Sequence, residues 1–271
     1  MTTASPNRRP LLQHVAAMKS TSIALYLLIL AALGAGAYVG SQSMGYKWQW
    51  YRVPQFLFKV TEQGFQWGPL YGGLLSTLQI SILAFLLAIV LGLVLATMRM
   101  SDLVVGRAVS IGVVELVRNI PLIVLLYVFY YVLGPIFDLD RLIVSILCLA
   151  IFHAVTISEI FRSGVAGVAR GQWEAAQSIG MSTAQSYRYI VLPQATRLLL
   201  PPLAGEMINL LKSSAIVSVI AVAELTTVGR TIITDTFMSF EIWFTIALIY
   251  LAVTLLMSLG VARLEKKLAG N

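Results

Sequence analysis

The chain is poor in the residues that soluble chemistry uses. Only 11% of its 271 residues are charged, against about a quarter in an ordinary soluble domain. A water-soluble fold of this length could not cover its surface with so few charges. One cysteine, Cys148, excludes an intrachain disulfide and a cysteine-rich metal site. Two histidines, His14 and His153, are too few and too far apart in sequence for a metal centre. His153 reads first as a hydrogen-bonded packing residue, with a proton relay as the alternative. No G-x-x-x-x-G-K-[ST] stretch occurs: Lys212-Ser213 follows Leu211, not glycine, so the chain carries no P-loop. Nor is there an internal repeat, or the low hydrophobicity of a disordered chain.

What the chain has is long apolar runs, with 58% hydrophobic residues. Six stretches approach the roughly 20 residues that a spanning helix needs: about Thr21–Gly40, Tyr71–Met98, Ser110–Leu133, Arg141–Phe161, Leu198–Val222 and Ile242–Val261. The strands of an outer-membrane barrel alternate apolar and polar residues, so runs of this kind exclude one. Six crossings leave both termini on one side. Termini in the cytoplasm put Arg8, Arg9, Lys19, Arg99, Arg107, Arg162, Arg170, Arg188, Arg197, Arg263, Lys266 and Lys267 inside. Outside are Lys47, Arg52, Lys59, Arg141 and Arg230. That asymmetry is what the positive-inside rule asks for. It also accounts for the net charge of +7 without nucleic acid, since no basic stretch is interleaved for base stacking. Tyr46, Trp48, Trp50, Tyr51 and Trp67 follow the first run, and such rings sit at headgroup depth.

The longest polar interruption is about Ser163–Arg197, which this orientation places in the cytoplasm. Gly171 to Ile179 reads as a short helix with Gly180 as its left-handed stop. Ser182 with Gln185 makes a capping box for a second short helix, and Pro193 is expected to end it. The result would be an exposed helical knob. Within it, Glu174-Ala175-Ala176, three residues, Gly180, nine residues, Ile190, one residue and Leu192-Pro193 resemble the EAA loop, EAA-x3-G-x9-I-x-LP, of the membrane subunits of bacterial ABC importers. Three further segments resemble the polar amino acid permease family: Glu115-Leu116-Val117-Arg118-Asn119-Ile120-Pro121, Glu159-Ile160-Phe161-Arg162-Ser163-Gly164 and Asn209-Leu210-Leu211-Lys212-Ser213-Ser214.

The resemblance covers about residues 71–268 and implies an all-α integral membrane protein. A five-helix type I importer core (71–268, with the EAA loop at 163–197) would follow an extra N-terminal helix and aromatic outer loop (1–70). It implies a non-enzymatic permease in the bacterial cytoplasmic membrane. Its partners would be a dimer of cytoplasmic ABC ATPases, a second permease subunit of the same or a homologous kind, and an extracytoplasmic solute-binding protein that delivers an amino acid. Lipid surrounds it. ATP and Mg would be held by the ATPase, with no cofactor in this chain. Trp173, Glu174, Ala175, Ala176, Gly180 and Met181 would form the ATPase contact.

Charges inside spans are costly, by about 2.5–3.5 kcal/mol at a helix centre on insertion scales, and face an interior or a cavity. Glu115, Arg118 and Asn119 share a helix face at i, i+3 and i+4, and Pro121 opens space beyond them. Asn209 and Lys212 are i, i+3, with Ser213 and Ser214 continuing the polar strip. A zwitterionic amino acid needs a cation for its carboxylate and an anion or carbonyls for its ammonium. Arg118 or Lys212 suits the first and Glu115 the second. The competing structural reading pairs Glu115 with Arg118. Two intramembrane cations favour an acidic or broad-range polar substrate. A stand-alone proton-coupled transporter using Glu115, Glu159 and His153 is the alternative; it would need no EAA loop and usually shows paired repeats. Glu159 and Arg162 read as a structural pair, and Glu206 as a partner for Arg197.

Overall fold

The computed structural model describes residues 9–62 and 64–269. Arg8 of the expected cytoplasmic set lies outside the described residues, as do the side chains of Arg9, His14, Lys19 and Lys267. Contacts divide the chain into two units, Met1–Trp48 and Gln49–Asn271. The first is helix α1 (Arg9–Ser43), of which Ser22–Ser43 is long and apolar enough to cross a membrane.

The second unit begins earlier than residue 71. A single turn at Trp50–Arg52 leads to a short helix α2 (Pro54–Leu57) and an antiparallel hairpin of β1 (Phe58–Thr61) and β2 (Gly64–Trp67). Val53 is buried with Leu70, Leu225, Met238 and Ile242, and the Gln49 amide donates to Glu241 at 2.6 Å. Val53, Phe56 and Leu57 thus pack with the core, while Phe58, Val60, Phe65 and Trp67 of the hairpin are exposed.

Helix α3 (Pro69–Met100) and helix α6 (Arg141–Ala166) form the central pair. Alpha3 turns a line of small residues inward, with Gly73, Thr77, Ser81, Ala84, Ala88, Gly92 and Ala96 all buried. Small side chains let helix backbones approach closely in lipid, where apolar surface gives no drive to associate. Gly92 is the tightest point of that seam: a Cβ there would lie 2.6 Å from Ile157 Cγ2. Asp140 caps α6 by accepting from the Leu142 and Ile143 amides.

The expected third span is not one helix. Alpha4 (Val104–Arg118) and α5 (Leu122–Phe137) are bent by 108° at the break between them. Pro121 has no N–H to continue the ladder, and Ile120 before it is disfavoured in the helical region. The amide and side chain of Asn119 instead both return to the Glu115 carbonyl, closing α4 at 3.3 and 2.7 Å.

The cytoplasmic knob also differs in one respect. Helix α7 (Arg170–Ser178) forms as read and stops at Gly180, whose φ of +77° is the left-handed conformation that glycine adopts freely. The capping box of Ser182 and Gln185 is present. Pro193, however, does not end the helix that follows. A π turn at Tyr187–Val191 sends the Leu192 amide to the Tyr187 carbonyl. Pro193 then opens the segment Leu192–Ser213, where its missing N–H matters little. The whole element, α8, runs Thr183–Ile220 and tightens to 3-10 geometry at Ser214–Ile220. After it come α9 (Leu225–Thr236) and α10 (Ser239–Ala269).

Among the described residues five helices are long and apolar enough to span, or six where the bent α4–α5 pair counts as one span. One core joins Ile80, Val114, Leu126, Leu149, Leu210 and Val217 from α3, α4, α5, α6 and α8. Leu86, Val90 and Leu93 of α3 and Leu248, Leu255 and Leu256 of α10 are exposed, as lipid-facing surface requires.

Candidate functional site

Three polar regions stand out in the second unit. The first is the knob. Trp173 and Ala176 turn inward from α7: Ala176 is fully buried, and Trp173 meets the Tyr187 ring edge-on at 4.9 Å. Trp173 sits over a cluster of Val165, Val168, Val191, Ala195 and Leu199. Glu174 and Ala175 point outward with Gly180, while Met181 is half-buried. Arg170 Nε donates to Glu174 Oε1 at 2.9 Å, one helical turn apart on the open surface. The Met181 and Gly180 amides return to the Ala176 and Gln177 carbonyls, so the end of α7 is closed and rigid. Sequence spacing thus identified one loop, and the fold sorts its residues into an anchored face and a presented face.

The second region lies where α3, α4 and α6 end together. Glu159 is shared by Arg99, by Arg162 Nε at 2.9 Å and by Arg118 at 3.6 Å. The i, i+3 pair with Arg162 was legible in sequence; the other two arginines come from distant segments. Arg118 therefore pairs with Glu159 and not with Glu115. Glu115 is exposed, and its carboxylate lies 3.5 Å from the Asn119 side-chain amide. Because α4 stops at Arg118, these residues sit at the break between α4 and α5.

The third region is inside the bundle. His153 Nδ1 and Glu206 Oε1 are 2.6 Å apart, both buried, and the Asn209 amide donates to Glu206 Oε2 at 3.2 Å. Glu206 thus pairs with His153 on α6, where Arg197 had been expected as its partner. His153 Nε2 has no partner among the described residues. Lys212 follows one turn beyond Asn209; it is exposed and has no ion-pair partner among the described residues. Ser213 is half-buried, and buried Ser214 donates to the Leu211 carbonyl. Further along, Arg230 reaches Ser218 at 3.2 Å and Arg141 reaches the Ala221 carbonyl at 3.5 Å. Of the seven residues expected to bind substrate, Glu115, Arg118 and Asn119 lie at the break between α4 and α5, and Asn209, Lys212, Ser213 and Ser214 lie along α8; Val114 and Val117 of the first segment share a core cluster with Leu210 of the second.

Sequence reading overlooked Glu224. It is fully buried, accepts from the Thr226 and Thr227 amides and caps α9. Burial pushes its carboxyl above the ordinary range, against the pull of those two amides. A glutamate two residues ahead of a pair of threonines is a weak cap signal, and nothing local announces the burial.

Comparison with known proteins fits this architecture. Residues 88–270 match the family described as "Binding-protein-dependent transport system inner membrane component". The probable glutamine ABC transporter permease protein GlnM of Bacillus subtilis is 35% identical over 197 residues, covering 72% of this chain and 91% of that one. The glutamine transport system permease protein GlnP of Escherichia coli is 33% identical over 199 residues, with 72% and 91% covered. Among solved structures, an amino acid ABC transporter crystallised with histidines superposes with a TM-score of 0.70 at 36% identity, over 73% of this chain and 94% of that one. The MetNI methionine ABC transporter, at 19% identity and a TM-score of 0.62, shares the fold. This multi-pass helical chain thus belongs to the binding-protein-dependent inner membrane components, as an amino acid ABC transporter permease.

Proposed function

We propose that this chain forms the translocation path for a polar amino acid of the glutamine or glutamate kind, delivered by an extracytoplasmic solute-binding protein. A second permease, the same chain or a homologue, completes the path. The observation that carries the reading is the α7 knob. It is anchored by Trp173 and Ala176, closed at Gly180 and presents Glu174 and Ala175 outward. A rigid, protruding helix transmits force; a flexible loop would dissipate it. Each knob seats in a groove on one of two cytoplasmic ATPase subunits, which hold ATP and Mg. Closing of the ATPase pair moves α6 and α8 through the cluster at the knob's base. Both termini then lie in the cytoplasm.

Along the path, Lys212 is the cation with no competing carboxylate, and it takes the substrate carboxylate. Asn209, Ser213 and Ser214 supply neutral hydrogen-bonding groups beside it. Glu115, Arg118 and Asn119 border the path at the break between α4 and α5. The printed substrates of the relatives, glutamine for GlnM and GlnP, support the substrate class.

The test is reconstitution of the complex in nanodiscs. Ala176→Glu, which places a charge in the anchored face, is expected to abolish ATPase co-purification and uptake together. Lys212→Met is expected to keep the ATPase bound and to lower substrate-stimulated hydrolysis at least about tenfold, the value of one charge-assisted contact. Full stimulation with unchanged apparent affinity would remove Lys212 from the path. Uphill uptake by the permease without an ATPase would overturn the whole reading.

A further inference from the structure

At the end of the bundle that carries the knob, a cleft of about 510 Å3 opens between the ends of α3 and α6, the start of α4 and the base of α7. Arg99, Arg107, Arg162 and Arg170 contribute to its walls, and its lining contains no acidic residue. Glu159 offsets Arg99 and Arg162 together with Arg118, and Glu174 meets Arg170. Four guanidinium groups thus share two carboxylates. Arg107 is exposed and has no ion-pair partner among the described residues. The rest of the lining is apolar and aromatic, including Trp173 and Tyr187.

That combination has a defined chemical complement. Guanidinium forks match the oxygens of a phosphate bidentately. An apolar wall and two aromatic rings at the ends of spanning helices suit the first carbons of an acyl chain at headgroup depth. A soluble phosphate would use the arginines and leave the apolar wall idle. We propose that this cleft binds the phosphate headgroup of an anionic lipid, phosphatidylglycerol-like, bridging the ends of the spanning helices to the base of the knob. The outward face of Glu174, Ala175 and Gly180 takes no part in the cleft walls, so the ATPase contact and the lipid use different surfaces. The assignment to the cytoplasmic leaflet rests on the orientation proposed above; the binding itself does not.

Native mass spectrometry of the full chain, purified with whatever subunits accompany it, tests the site. The probes are dioctanoyl phosphatidylglycerol, dioctanoyl phosphatidylcholine and glycerol 3-phosphate. Phosphatidylglycerol is expected to be retained roughly tenfold more tightly than phosphatidylcholine, as two or more arginines near the headgroup should give. Glycerol 3-phosphate should fail to displace it. The double variant Arg107→Gln, Arg170→Gln avoids the arginines paired with Glu159 and should remove the preference. Arg107→Lys, Arg170→Lys, keeping the charge, should retain most of it and controls for folding. A preference that survives the glutamine variant would overturn the site. Equal displacement by glycerol 3-phosphate would make it a soluble-phosphate site. Loss of the ATPase from the glutamine variant with lipid retention unchanged would assign the arginines to the protein partner.

Discussion

Helix α6 carries two polar centres six residues apart, and they are built on opposite terms. His153 is enclosed by the bundle and has one close partner, Glu206, whose second oxygen is held by Asn209. Glu159 lies near the end of the same helix, about a quarter exposed, and serves three arginines from three elements. Geometry is strict in the first and redundant in the second. Inside the bundle, water cannot replace a lost partner, so each removed hydrogen bond leaves a stranded group. At the helix ends, water and neighbouring charges take up the slack. The contrast indicates where this permease is held rigid and where it has room to rearrange.

Glu206→Leu should break the contrast most severely. It strands Nδ1 of buried His153, and an expected cost of about 2–3 kcal/mol would appear as a lowered unfolding midpoint in detergent. A shift no larger than that of a surface variant would show that His153 is hydrated, and the contrast would fail. The double variant His153→Phe, Glu206→Leu should recover most of that loss, because two apolar groups leave nothing to satisfy. Glu159→Gln should cost about 1 kcal/mol or less. Its effect should shrink further in high salt, whereas that of Glu206→Leu should not. Arg118→Gln should change stability least, since Glu159 keeps Arg99 and Arg162. Any large drop in uptake for this variant would then report on the transport path and not on folding.

Much of this was legible in the residues. Runs of about twenty apolar residues marked the spans, because a bilayer of fixed thickness admits few alternatives. The knob was legible because caps are local: Gly180 and the Ser182–Gln185 box act within a single turn. Where reading failed, a proline or a distant partner was responsible. Pro121 and Pro193 look alike in sequence, yet one accompanies a 108° bend and the other sits inside a continuing helix. The difference is the π turn before Pro193, which re-registers the hydrogen bonds ahead of it. The burial of Val53 was not legible either, because it shares a core with Leu225 and Met238, about 170 or more residues further along the chain.

From the sequence alone came the class of the protein, its long apolar spans and the presented loop. Each follows from hydrophobic length or from interactions within a few residues. Tertiary structure alone decided the pairing of charges: Glu206 with His153, Arg118 with Glu159, and Lys212 with no ion-pair partner among the described residues. Partners 40 to 60 residues apart meet only because α3, α4, α6 and α8 pack side by side. A carboxylate in a bundle chooses the cation that packing brings within reach, and that choice leaves no trace in the spacing along the chain.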